Sequence, residues 1–167
     1  MTMILSGCTT GTPLDAVIPG EPPVVSGFPA ATPARMKSAV VWGNDTRTVN
    51  AALLWLQKQG VAVYGPSVLQ QTLAKNAARD NLLLIDEASV LAAANEVGAG
   101  PVVFSDRVGD SRPPMVSVRA VDTNTGRVLW SGNARFGSSQ QMPSNDTLSV
   151  LTEEALMGAW GVKPTDD

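Results

Sequence analysis

The side chains that most often carry chemistry are nearly missing from this chain of 167 residues. It has no histidine, which removes triads, imidazole acid/base steps and His-ligated metals. It has one cysteine, Cys8, so neither an internal disulfide nor a cysteine metal cluster can form. The adjacent acidic pairs Asp86-Glu87 and Glu153-Glu154 remain to be weighed. Neighbours on a helix point in different directions, and Asp86-Glu87 suits a helix N-terminus, so both pairs read as structural. Gly98-Ala99-Gly100 follows a helical stretch and lacks the third glycine of a dinucleotide loop, so it reads as a helix stop. Ser67, Ser89 and Ser144 stand in no recognisable nucleophile motif, and each has a cap or turn to serve. Asp106, Arg107 and Asp110 follow a strand, where α/β sheets often place ligands. A solvated loop is the plainer reading there, but the three stay candidate contact residues. Trp42, Trp55 and Trp130 fall on apolar faces and are expected in the core. Trp160, beside Gly161 near the end of the last helix, is a candidate interface anchor that could equally close the core. No catalytic residue, cofactor or metal is expected.

Cys8 is different. Leu5-Ser6-Gly7-Cys8 resembles a bacterial lipobox, a branched apolar residue and two small residues before a cysteine that is lipidated and becomes the mature N-terminus. Several acyl chains make such an anchor stable where one would bind marginally. Met1 to Leu5 supply neither a basic stretch nor 7–15 apolar residues, so residues 1–8 read as a residual signal peptide with its lipobox. An unmodified cysteine is the plain alternative. Lipidation is favoured because Cys8 is the sole cysteine and a linker follows directly. The resemblance further implies sorting to the outer membrane, since Thr9 rather than Asp follows the cysteine.

Residues 9–36 contain Pro13, Pro19, Pro22, Pro23, Pro29 and Pro33 among Gly, Ala, Thr and Val, without helical or strand period. They read as a tether tending to polyproline II, about 80 Å long if fully extended at ~3.1 Å per residue. Val17, Ile18, Val24, Val25 and Phe28 make it more apolar than an inert spacer. The net charge of −3 and twelve scattered basic residues argue against nucleic acid as a partner.

A single α/β domain, α+β mixed, is expected over 37–162, with a tail at 163–167. Ser38 to Trp42 reads as a buried strand. Asp45 or Thr46 caps a helix carrying Val49, Ala52, Leu53 and Leu56, and Gly60 stops it. Val61 to Tyr64 is the next strand, parallel to the first. Ser67 with Gln70 matches a capping box for a helix through Leu69, Leu73 and Ala77. Asn81 to Ile85 is ambiguous between helix and loop. Asp86 caps a helix with Val90, Leu91, Ala94 and Val97 on one face, and Pro101 to Ser105 is the third strand. Met115–Val121 and Arg127–Phe136 alternate around the turn Asp122 to Gly126, which predicts a β-hairpin. Asn145 or Asp146 caps a last helix with Leu148, Leu151, Ala155 and Ala159. The order β-α-β-α-α-β-β-β-α predicts one five-stranded mixed sheet with helices packed on it.

The stretches Asn95–Val108 and Val116–Gly132, with Thr125-Gly126-Arg127-Val128-Leu129-Trp130-Ser131 in the hairpin, resemble a known group of envelope domains. These are the TolB amino-terminal region, the periplasmic domain of CsgG-like curli-channel lipoproteins, and lipoprotein activators of penicillin-binding proteins. The resemblance spans roughly 38–160, with residue matches concentrated in 95–131. It implies an outer-membrane lipoprotein facing the periplasm, held by lipid on Cys8. It further implies a structural subunit of an envelope machine that contacts other envelope proteins and copies of itself as a homo-oligomer. Activation of a peptidoglycan synthase is the alternative. The loops at 106–114 and 137–145 are too short and polar to supply the curli channel's membrane hairpins. Ligand binding near 43–45 or 105–110 is a third possibility.

Overall fold

A computed structural model describes residues 24–28, 36–80, 84–109, 114–136 and 147–161. Six strands form one sheet: β1 (Val24–Phe28), β2 (Ser38–Trp42), β3 (Ala62–Tyr64), β4 (Val102–Val108), β5 (Met115–Val121) and β6 (Val128–Arg135). Their order across the sheet is β1-β6-β5-β4-β2-β3. β2 pairs in parallel with both β3 and β4, and every pairing from β4 to β1 is antiparallel. The expected mixed α+β fold is therefore present, with one strand more than expected. The sixth is β1, which lies inside the stretch read as tether and pairs with β6, Val24 opposite Arg135. Its alternation is too short, and its flanking prolines too many, to announce a strand. A partner strand 103 to 111 positions away creates it.

Four helices cover the sheet: α1 (Thr46–Lys58), α2 (Ser67–Asp80), α3 (Glu87–Glu96) and α4 (Thr147–Trp160). Val40 and Val41 are adjacent in β2 and both fully buried, one in each of two cores. The first core joins Val41, Val116, Val118 and Trp130 to Leu56 of α1 and Leu151 and Leu156 of α4. The second joins Val40, Val102 and Phe104 to Leu69 and Leu73 of α2 and Val90 of α3. This is why the parallel strands read as continuous apolar runs while the hairpin alternates.

The caps follow the local chemistry. Asp45 is the N-cap of α1 and Asp86 that of α3, accepting from the backbone N–H of Arg47 and Ser89. Ser67 is the first residue of α2 rather than its cap, and the turn closes instead through Val68 N–H to Gly65 and Leu69 N–H to Pro66. The predicted caps Asn145 and Asp146, like Ser144, lie outside the described residues. Of the ambiguous stretch, Leu84 and Ile85 are described and exposed, with no helix through them. No helix among the described residues is long and apolar enough to cross a membrane.

Candidate functional site

β2 ends beside the middle of β4, so residues 43–45 meet residues 105–107 although some 60 positions separate them; Asp106 and Arg107 belong to β4, which runs to Val108, and not to the loop expected from the sequence. Gly43 makes the approach possible: a Cβ there would lie 2.0 Å from the Ser105 carbonyl oxygen. Asn44 stitches the two ends together. Its backbone N–H donates to Asp106 Oδ1 (3.0 Å), its Nδ2 donates to the Arg107 carbonyl (2.9 Å), and its Oδ1 accepts from the Arg107 N–H (2.8 Å). Beneath them, buried Thr48 donates through Oγ1 to the carbonyls of Asp45 (2.9 Å) and Ser105 (2.8 Å). Ser105 Oγ returns a bond to the Thr48 carbonyl (3.1 Å).

Asp106 sits at the mouth of a cleft of about 200 Å³ lined by Trp42, Ile85, Glu87, Phe104 and Arg119 among others. Burial pushes its carboxyl above the usual range, and the Asn44 N–H and the Arg119 charge offset this only in part. Across the cleft Arg119 donates twice to Glu87, both at 2.7 Å, with its guanidinium carbon 4.7 Å from the centre of the Phe104 ring. That bidentate pairing holds the Glu87 carboxyl below its ordinary range. Asp45 is lowered by its bonds to Arg47, chiefly from the guanidinium. A second, open cleft of about 300 Å³ lies between Asn44, Asp45, Arg107 and Gly109.

Asn44, Asp106, Thr48 and Ser105 bond within this junction and Arg119 pairs with Glu87, while Arg107 Nε is buried without a hydrogen-bond partner among the described residues. No base faces a nucleophile, and no group of three ligating side chains among the described residues could hold a metal. Such an arrangement can make contacts.

Among the residues singled out from sequence, Asp106 and Arg107 are brought together with 43–45 at this junction. Asp110 lies outside the described residues, as does Cys8. Trp160 is placed elsewhere. Its ring packs on the first core, edge-on to Trp55 (5.2 Å between centres) and Trp130 (6.1 Å), so it closes the core rather than standing free as an anchor. Trp55 and Trp130 are buried, and Trp42 is half-buried at the second core. Sequence reasoning pointed to 43–45 without singling out Asn44, set Glu87 aside as a helix-start residue, and missed Arg119. Arg119 stood at an outward position of the alternating strand, but nothing local named its partner 32 residues earlier.

The fold and junction define a class, an α+β domain with a mixed sheet covered by helices, and comparisons place known proteins beside it. No family model matches the chain. The penicillin-binding protein activator LpoB of Yersinia pestis is 44% identical over 41 residues, 25% of this chain. The match spans 22% of that activator's length. Among solved structures, the PelC dodecamer of Paraburkholderia phytofirmans superposes with a TM-score of 0.55 at 15% identity, covering 83% of this chain and 97% of that one. The chain thus has the fold of the PelC subunit. The LpoB C-terminal domain of Salmonella enterica is a weaker neighbour, with a TM-score of 0.46 at 17% identity over 62% of this chain and 84% of that one. The narrower TolB or CsgG-like label finds no counterpart among these relatives.

Proposed function

We propose that this chain is the periplasmic domain of an outer-membrane lipoprotein, held by lipid on Cys8, that works by binding envelope proteins rather than by catalysis. The partner class with the most specific support is a peptidoglycan synthase. What carries it is the 44% identity over 41 residues to a penicillin-binding protein activator. The junction agrees with a binding role, since Asn44 holds Asp106 and the Arg107 backbone, and Arg119 holds Glu87, at the surface of the domain. Self-association as a structural subunit is the second reading, favoured by a fold shared along 83% of the chain with a protein that forms a dodecamer.

One purification addresses both. The full chain, extracted in detergent, is weighed by light scattering and then added to penicillin-binding proteins from the same organism. Faster glycan polymerisation is the result expected of an activator, and a stable ring is the result expected of an assembly subunit. A monomer that neither binds nor stimulates any synthase overturns both.

A further inference from the structure

Val24–Phe28 is at once part of the proline-rich stretch behind Cys8 and the outermost strand of the sheet. It pairs with β6 alone, from Val24 opposite Arg135 to Phe28 opposite Ser131. Pro23 directly before it and Pro29 directly after it have no N–H to donate to a longer ladder. Val24, Val25 and Ser26 are exposed, and neither valine belongs to either core. Val25 lies against Gly158 of α4, where a Cβ on the glycine would meet a valine methyl at 2.2 Å.

β6 keeps its place without β1. It pairs with β5 along Met115–Val121, Trp130 and Ala134 are buried in the first core, and Gly132 lies under the Ala155 carbonyl of α4. Losing β1 therefore costs one edge ladder and little apolar burial. Such a segment opens at a small fraction of the free energy that unfolds the domain.

Chain length gives that opening a consequence. With β1 paired, the fifteen residues 9–23 lie between Cys8 and the sheet. With β1 released, the next residue held by the fold is Met36 in the first core, and residues 9–35 lie between. At ~3.1 Å per residue those lengths span at most about 45 and about 85 Å.

We propose that β1 is a releasable strap: paired with β6 it holds the domain on a short lead, and peeled away it nearly doubles the distance the domain can stand from its anchor. The gain in reach rests on the lipid-anchor and synthase readings above; the strap itself does not.

Two measurements on the full chain test it. In native-state hydrogen exchange in detergent, amides of 24–28 are expected to exchange at least about tenfold faster than those of 115–121, through an opening that denaturant hardly changes. Gly158→Ala, which pushes Val25 off α4, should make them faster still. Exchange over 24–28 that occurs only with global unfolding overturns the strap. Reach is tested by Ser26→Cys with Asn133→Cys, opposite residues of the two strands, whose disulfide keeps β1 docked. The locked chain should stimulate a peptidoglycan synthase as the parent does when both are dissolved in detergent, and should lose that effect in intact cells, where a distance has to be spanned. A locked chain that serves cells as well as the parent overturns the gain in reach. If the parent stimulates no synthase, the activator reading falls, and the exchange rates alone decide the strap.

Discussion

Asn44 and Arg107 bond to each other twice, side-chain amide to backbone, where the chain leaves β2 alongside β4. The Arg107 N–H donates to Asn44 Oδ1 at 2.8 Å and Asn44 Nδ2 donates to the Arg107 carbonyl at 2.9 Å. The amide thereby continues the sheet's pairing beyond the last strand residue of β2. Asn44→Ala should cost about 1–2 kcal/mol, two net hydrogen bonds at an exposed site. Chemical denaturation would read it. An unchanged midpoint would mean that water replaces the amide without loss.

Thr48 and Ser105 are fully buried, and their hydroxyls serve each other's backbones. Thr48→Val preserves shape and removes one O–H proton shared between two carbonyls, of which that of Asp45 keeps its bond from the Val49 N–H. A loss of about 1–2 kcal/mol is expected, the worth of one buried hydrogen bond. Ser105→Ala should be milder, because the Thr48 carbonyl lies within α1 and has the helix's own N–H as a donor.

Acid should act on this protein in two opposite ways. Glu87 has its carboxyl lowered by Arg119, so its stabilisation is present above the ordinary carboxylate range and is lost as pH falls through the depressed value. Asp106 is raised by burial, so its contribution is largest at low pH and is lost as pH rises through the elevated value. Asp106→Asn keeps an acceptor for the Asn44 N–H and removes the half-buried charge. It should raise the melting temperature at pH 7 and lose that advantage near pH 3. Glu87→Gln should lower it at pH 7 by less than about 1 kcal/mol equivalent, an effect reduced by salt. Melting curves of both variants across pH 3–8 would decide; a destabilised Asp106→Asn at pH 7 would contradict the burial argument.

Two glycines let α4 lie close to the sheet. A Cβ at Gly132 would sit 2.1 Å from the Ala155 carbonyl oxygen, and one at Gly158 would sit 2.2 Å from a methyl of Val25. Gly132→Ala must move the helix backbone, with an expected cost of about 1–3 kcal/mol for overpacking. Gly158→Ala meets only an edge-strand side chain. It should release β1, seen as faster amide exchange over 24–28, with the melting temperature of the core nearly kept.

Cys8→Ser in cells making the natural precursor should abolish incorporation of labelled palmitate and move the protein out of the membrane fraction. Identical labelling and fractionation of parent and variant would remove the anchor from the proposal.

Local chemistry alone determined much of this molecule. The aspartate caps at 45 and 86, the turn from Asp122 to Gly126, and the alternation of Val116, Val118 and Ala120 are decided within a few residues. Each is visible in the order of side chains because its physical cause is equally short-ranged. Tertiary structure decided the rest. Val24–Phe28 becomes a strand only because β6 offers an unpaired edge, and Trp160 turns inward only because Trp55 and Trp130 present their rings. Asn44 becomes a clasp only because Gly43 lets the Ser105 carbonyl approach. In each case the deciding partner lies 30 to 111 positions distant along the chain. No local propensity encodes such a pairing, which exists only after the sheet has assembled.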